Sequence, residues 1–337
     1  MNPLIRTAAI AVATAVAGTS LVACSSVNKS GSGSSADEAP TSVNIVVPAD
    51  PGGGWDQTGR ALSDVLTGEK ILETASVSNT PGAGGTVGLA ALANETDPHT
   101  LMVMGLVMVG AIETNKSATK LSDTTPIAKL TEEQEVVVVP ADSKYQTIND
   151  LVDDIKANGQ GVAIAGGSAG GTDQILAGQL LKASGVPSGD IAKSLNYVPF
   201  DGGAESVTAL LGGKVDAGIS GVGEYAEQIK AGKLRALAVS GEKPSGLLPD
   251  VPTLTDEGID LVLTNWRGVV APGDLDAADK KALTDVVTEA AESDAWAKVL
   301  ETNDWDDAFM AGDEFETYVD EEVASAQTTL KEIGLVQ

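Results

Sequence analysis

Short apolar runs that end in glycine-rich turns and pass directly into helical patterns recur along this chain, and nothing else in it limits the fold so strongly. SVNIVV (Ser42 to Val47) leads through DPGGGWD (Asp50 to Asp56) to a helix-period pattern over Trp55 to Leu66. TASVSN (Thr74 to Asn79) leads through TPGAGGT (Thr80 to Thr86) to a helical pattern over Gly84 to Ala93, and TLMVMG (Thr100 to Gly105) follows. That βαβαβ order belongs to a mostly parallel sheet with helices on both faces. After the extended run EVVVVP (Glu135 to Pro140) a second series begins. It places helices near Thr147 to Ala157, Gly170 to Ser184, Gly203 to Leu211 and Glu224 to Ala231. Its strands are GVAIAG (Gly161 to Gly166), SLNYVP (Ser194 to Pro199), VDAGIS (Val215 to Ser220) and LRALAVS (Leu234 to Ser240).

The two series predict two similar α/β domains, which suits 337 residues at roughly 150 per domain. NWRGVVAPGD (Asn265 to Asp274) is again extended, and only helical patterns follow from Asp276 to Leu335. A tail with no sheet of its own packs on an earlier one. If it returns to the first, the chain crosses between domains twice, near Val137 to Pro140 and near Arg267 to Pro272. The expected division is 42–138 plus 268–337 for domain 1 and 139–267 for domain 2, with a closable cleft between them.

The N-terminus reads as an address rather than as part of the fold. Residues 1–23 carry a basic start, a small apolar run over Thr7 to Gly18 too short to span a bilayer, and then LVAC at Leu21 to Cys24. This resembles a bacterial lipoprotein signal peptide with lipidation at Cys24, and residues 24–41 form a Ser/Gly-rich flexible linker. Cys24 is the only cysteine, so a disulfide within the chain is excluded. No later stretch reaches the ~18 to 20 apolar residues of a membrane span, so the expected attachment, on the extracytoplasmic face, is through lipid alone.

Acidic residues outnumber basic ones 48 to 21, a net charge of -27 that no Lys/Arg stripe interrupts, which argues against nucleic acid as a partner. Yet glycine turns at helix starts are where anions usually sit. In open α/β sheets ligands bind beyond the carboxyl ends of the strands, which puts these turns on one rim with GGSAGGTD (Gly166 to Asp173), DGGAE (Asp201 to Glu205) and SGVGE (Ser220 to Glu224). Glycine lets the backbone approach closely, and each helix start leaves unpaired N–H groups carrying about half a positive charge. Several converging ends hold a carboxylate without a cluster of arginines. One such turn alone is equally a tight connection.

VNIVVPADPGGGWDQTGRAL, VSNTPGAGGTVGLAAL, GGSAGGTDQILAGQLLKASG, LNYVPFDGGAESVTALLGGKVDAGIS and WRGVVAPGDL, in that order, resemble the substrate-binding receptors of tripartite tricarboxylate transporters, the TctC or Bug family, from Val43 to the C-terminus. The resemblance implies a type II, two-domain periplasmic-binding-protein-like α/β fold with mixed, mostly parallel sheets. It implies citrate or a related di- or tricarboxylate in the cleft, delivery to one large and one small membrane subunit, and a monomer without cofactor or metal. It also implies the contacts. Gly53, Gly54, Trp55, Asp56, Ala83, Gly84, Gly85 and Thr86 come from the first domain, and Ser168, Gly171, Thr172, Asp173, Gly202, Gly203 and Ala204 from the second. Another organic acid or an amino acid fits the same fold.

Trp55 stands where many family members have Ser or Thr, and is either a wall of the pocket or packing between helices. Asp56 is awkward beside an anionic ligand and is expected to cap its helix. Arg60 is expected to pair with Asp56 or Asp64 at helix spacing, and Arg267 to form a hinge salt bridge, with ligand contact as the alternative for both.

Gly166 to Gly170 also fits G-x-S-x-G, the nucleophile elbow of serine hydrolases with Ser168 as nucleophile. That chemistry needs a histidine downstream of the serine, and the only histidine, His99, lies upstream. One histidine and one cysteine also leave no His/Cys metal cluster. Thr172 and Asp173 stand where a phosphate-binding loop needs Lys and then Ser/Thr. A surface adhesin would have no use for a set of paired glycine turns.

Overall fold

The computed structural model describes residues 40–200 and 203–336, without the side chains of residues 203 and 204. The signal peptide, Cys24 with most of the linker, and Gly202 lie outside the described residues.

β1 (Ser42–Val47), α1 (Gly54–Gly68), β2 (Thr74–Asn79), α2 (Thr86–Leu92, entered through a 3-10 turn at Ala83–Gly85), β3 (Thr100–Gly105) and α3 (Leu106–Thr114) form the first series. The long β4 (Thr124–Pro140) leads to α4 (Ile148–Asn158), β5 (Ala163–Gly166), α5 (Thr172–Ala183), α6 (Ser188–Ser194), β6 (Asn196–Pro199), α7 (Gly203–Leu211), β7 (Ala217–Gly221), α8 (Val222–Lys230) and β8 (Leu234–Val239). β9 (Thr264–Pro272), α9 (Ala277–Ala291), α10 (Asp294–Asn303), β10 (Asp306–Ala311) and α11 (Asp313–Glu332) complete the described chain.

Two parallel triads, β2-β1-β3 and β6-β5-β7, are joined through antiparallel β9 and β4. β4 makes the junction: Thr124 to Gln134 pair with β9, while Glu135 to Val138 pair with β7 and Val136 to Pro140 with β8. The period-2 alternation of a strand explains its VVVV run. Val136 and Val138 pack with Leu210 and Tyr225, while Val137 and Val139 turn to the larger core that continues under β1 and β3.

The strand expected at Thr100 to Gly105 is present, followed by a helix the sequence pattern does not mark, and the tail needs correction. The apolar run from Leu101 to Ile112 divides at Gly105 into a strand and a helix; α3 is buried on most sides, so no polar face announces it. The tail is not all helical. DDAFMA at β10 pairs antiparallel with β4 through a register shift between Asp307 and Met310, and the Thr131 hydroxyl donates to the Asp306 carbonyl at 3.0 Å. Its leading acids and broken register erase the alternation by which a strand is recognised. α11 covers β9, with Trp266 edge-on to Phe315 and Tyr318 at centroid distances of 6.1 and 5.3 Å. No described helix is long and apolar enough to cross a membrane.

Candidate functional site

The carboxyl ends of β1, β2, β3, β5 and β7 surround one cavity of about 320 Å³, the size of a small-molecule site. The turn after β1 contributes Gly53, Gly54 and Trp55, and the turn after β2 contributes Pro81 to Gly85. Val107 follows β3, Gly167, Ser168 and Asp173 follow β5, and Ser220, Gly221 and Glu224 come from the end of β7 and the start of α8. β9 adds Asn265 and Arg267, which share one face of the strand at i, i+2 while Trp266 points to α11.

The turns before α1 and α5 are closed in the same way. Each helix has a glycine N-cap, Gly53 or Gly171, with no side-chain cap. The third helical residue reaches back instead: Asp56 accepts from the Gly52 N–H at 2.9 Å, and Gln174 accepts from the Gly170 N–H at 2.7 Å. This is half of a capping box, shifted back by one residue. It organises the loop without filling the helix end, so in α1 the N–H groups of Gly54 and Trp55 stay available at the cavity. At α8 the position is taken. Glu133 accepts from the Gly223 N–H at 3.2 Å, and Glu224 accepts from the Ser220 hydroxyl at 3.0 Å.

Asp56 therefore does not line the cavity. It is 4% exposed and also accepts from Arg60 at 2.8 Å and Asn79 at 2.9 Å. Burial alone would raise its carboxyl, but the bonds from Arg60, Asn79 and Gly52 outweigh that and hold it below the usual range. Arg60 is spent on this pair. Thr86, Gly171 and Thr172 also stand back from the cavity. The Thr86 hydroxyl bonds the Ala83 carbonyl at 3.0 Å, Gly171 caps α5, and the Thr172 hydroxyl donates to Oδ1 of Asn265 at 3.2 Å. Thr172 thus reaches the cavity only through the amide it orients. Gly203 and Ala204 open α7, and their side chains are outside the description, as is Gly202 entirely.

Trp55 is both wall and packing: it lines the cavity and is 8% exposed. A Cβ on Gly85 would come 2.7 Å from its ring. Ala83 holds φ +51, and Gly82, Gly84 and Gly85 hold φ of +135, +62 and +88, a run of left-handed backbone that only small residues tolerate.

Arg267 is the residue whose weight the sequence understates. It is 3% exposed and ion-paired through Nη2 to Glu133, as a hinge salt bridge would be, yet it also lines the cavity, and among the described residues its Nη1 has no acceptor. Its Cζ lies 5.1 Å from the Trp305 ring centroid. A guanidinium in a cavity wall is a ready donor to an anion. Asn265 and Glu224, also on the cavity, are absent from the sequence-derived contacts.

Burial pushes Asp173 up to about 7; the Gly167 N–H, donating at 2.6 Å, works against this, and the nearby Glu224 and Glu133 reinforce it. Glu135 is fully buried with neither oxygen partnered, and burial raises it well above the usual range, with Asp173, Glu133 and Glu224 adding to the effect. Among the described residues no group of three or more His, Cys, Asp or Glu is arranged to hold a metal ion.

Residues 60–335 match the family model described as the tripartite tricarboxylate transporter family receptor. The chain belongs to this family. A UPF0065 protein of Agrobacterium vitis, from the TAR-I ttuE-ttuC' intergenic region, is 30% identical over 263 residues, covering 75% of this chain and 72% of its own length. Two solved structures have a similar fold. MatC from Rhodopseudomonas palustris with bound malate has a TM-score of 0.71 at 21% identity, covering 86% of this chain and 98% of its own. A second R. palustris protein, with adipate, has a TM-score of 0.75 at 20% identity, covering 88% and 98%. The receptor is accordingly not an enzyme, and Ser168, despite its G-x-S-x-G setting, is a cavity-wall residue. The PGGGWD turn lies before the matched segment, so Gly53, Gly54 and Trp55 are placed at the site by this chain's own geometry.

Proposed function

We propose that this receptor binds a small organic acid, citrate or a related di- or tricarboxylate in the class the sequence resembles, and delivers it to the large and small membrane subunits of a tripartite transporter. The observation that carries the reading is Arg267, whose guanidinium-bearing side chain lines a cavity that also receives the open N-terminus of α1. A carboxylate satisfies both at once. The malate and adipate held by proteins of similar fold support the same ligand class.

In this reading the two strand sets act as lobes, 42–138 with 268–337 and 139–267, that close over the ligand. The glycine turns are the contacts on each side. The receptor works as a monomer outside the cytoplasmic membrane, tethered through a lipid on Cys24.

Calorimetry of the purified full chain against organic acids tests this directly. A true ligand at 100 times its Kd adds about 2.7 kcal/mol to folding stability. A chain that neither binds nor is stabilised by any carboxylate is not such a receptor.

A further inference from the structure

The ion pair of Arg267 and Glu133 joins the starts of two helices, one following a strand of each parallel triad. Its guanidinium lies against Gly54, the first residue of α1, which follows β1. Its carboxylate lies at the start of α8, which follows β7. A Cβ on the N-cap Gly221 would come 2.5 Å from Oε1 of Glu133, and that oxygen accepts from the Gly223 N–H at 3.2 Å. The other oxygen, Oε2, accepts from Nη2 of Arg267. Glu133 is 4% exposed and does not line the cavity that Arg267 lines. It stands opposite Asn265 in the register with β9, two residues before Glu135 takes up β7 at Gly221. The arginine is thus held by a residue outside the cavity, at the point where β4 changes partners.

Spanning two donors takes an acceptor at each end, which a carboxylate has and an amide lacks. A helix start and a guanidinium are both positive, and an anion between them is stabilised by each. We infer that Glu133 is a positioning residue of the receptor: it sets the guanidinium of Arg267 at the cavity and ties it to the first turn of α8, so that an anion gripped by Arg267 is felt on the opposite strand set. The inference rests on the receptor reading above, since it takes Arg267 as the grip on ligand. Glu133 acts through its two partners and does not touch ligand itself, so the tie is the same whichever acid binds.

The Gly223 N–H reports the tie directly, because it lies too early in α8 for an intrahelical partner and Glu133 is its acceptor. With the glycines of the full chain isotope-labelled for NMR, its exchange with water should quicken about tenfold in Glu133→Gln, the loss of one charge-assisted hydrogen bond. Arg267→Gln, which leaves α8 untouched, should quicken it as much, Arg267→Lys less, and the double variant no more than either single one. A Gly223 N–H indifferent to Arg267, or two effects that multiply, overturns the inference and leaves the receptor reading intact. Citrate, malate and adipate, titrated calorimetrically, are the ligand probes. An acid that binds the parent should bind Glu133→Gln about tenfold more weakly, and should slow Gly223 exchange in the parent but not in that variant. Undiminished affinity, or equal slowing in both proteins, also overturns the inference. Glu133→Asp, one methylene short of reaching both partners, repeats the comparison if the glutamine variant fails to fold. If no acid binds the parent, the receptor reading falls, and the ligand-free comparison still decides whether Glu133 ties Arg267 to α8.

Discussion

Gly54 lies so close against Arg267 that a Cβ on it would come within 2.8 Å of the guanidinium carbon. The first residue of α1 is thus bare because β9 delivers an arginine onto it. Gly54→Ala should push the guanidinium out of its seat and cost a charge-assisted hydrogen bond to ligand, about 1.5 to 3 kcal/mol. That is a roughly ten- to hundredfold loss of affinity by calorimetry. Gly68→Ala, where a Cβ meets nothing within 4 Å, is the control and should bind as the parent does.

Backbone approach should matter more to binding than a remote charge. Gly85 sits at φ +88, with a would-be Cβ 2.7 Å from Trp55 and 2.8 Å from Met108, so Gly85→Val should abolish measurable binding. Gly171→Val, whose Cβ would meet the Ser168 carbonyl at 2.9 Å, should behave likewise. Arg235 donates to the carbonyls of Ala141, Ser143 and Tyr145, away from the cavity. Arg235→Ala should therefore lower stability by about 2 kcal/mol in urea while leaving affinity within a factor of about three. Equal losses of affinity in all three variants would contradict the assignment.

Stability should rise on mild acidification. In the unfolded chain the Asp173 carboxyl ionises near its ordinary 3.8, whereas in the fold it is pushed up to about 7, and Glu135 is raised as well. Between those pH values the folded state keeps protons that the unfolded state has lost, so stability falls as pH rises, by about 1.4 kcal/mol per pH unit for each retained proton. Asp56 has the opposite sign: its folded value is depressed, so its contribution persists above the unfolded value and is lost only as pH falls below it. The melting temperature should be higher at pH 5.5 than at pH 7.5, and Asp173→Asn should flatten that slope. A parent protein that melts higher at pH 7.5 would refute the assignment.

Thr172 should act on ligand through Asn265. Thr172→Val removes the hydroxyl that holds Oδ1 of Asn265 and should cost about 1 kcal/mol of stability and several-fold in affinity. Thr172→Ser, which keeps the donor, should retain most of both.

Attachment can be tested apart from binding. Cys24→Ser should move the protein from the membrane fraction to the soluble fraction of cells, with ligand affinity unchanged.

The glycine turns, their strands and their helices were legible because each is local: an apolar run, a residue able to adopt positive φ, and an amphipathic period all lie within a few positions. What Asp56, Thr172 and Arg267 do was not, because their partners arrive from elsewhere in the chain. Asp56 takes Asn79, 23 residues away, and Arg267 takes Glu133, 134 residues away. The start of β4 was hidden for the same reason. Lys129, Glu132 and Glu133 look like solvated charge, but Lys129 and Glu133 are buried there, Lys129 paired with Glu132 and set 4.1 Å over the Tyr318 ring, and Glu133 paired with Arg267. Asn265 and Arg267 could have been linked by their two-residue spacing on a strand, though spacing alone does not say which face meets the cavity.

β4 pairs with β9 from Thr124 to Gln134 and with β7 and β8 from Glu135 onward, so one unbroken strand carries the partners of both halves and the handover falls between Glu133 and Glu135. The halves of this receptor are therefore not interchangeable cassettes. A chimera that grafts one strand set onto a relative inherits a foreign β4 register, and with it a different placement of Glu133 and Glu135. Swapping ligand preference within the family by exchanging halves should fail, whereas exchanging individual turns around an intact β4 should succeed.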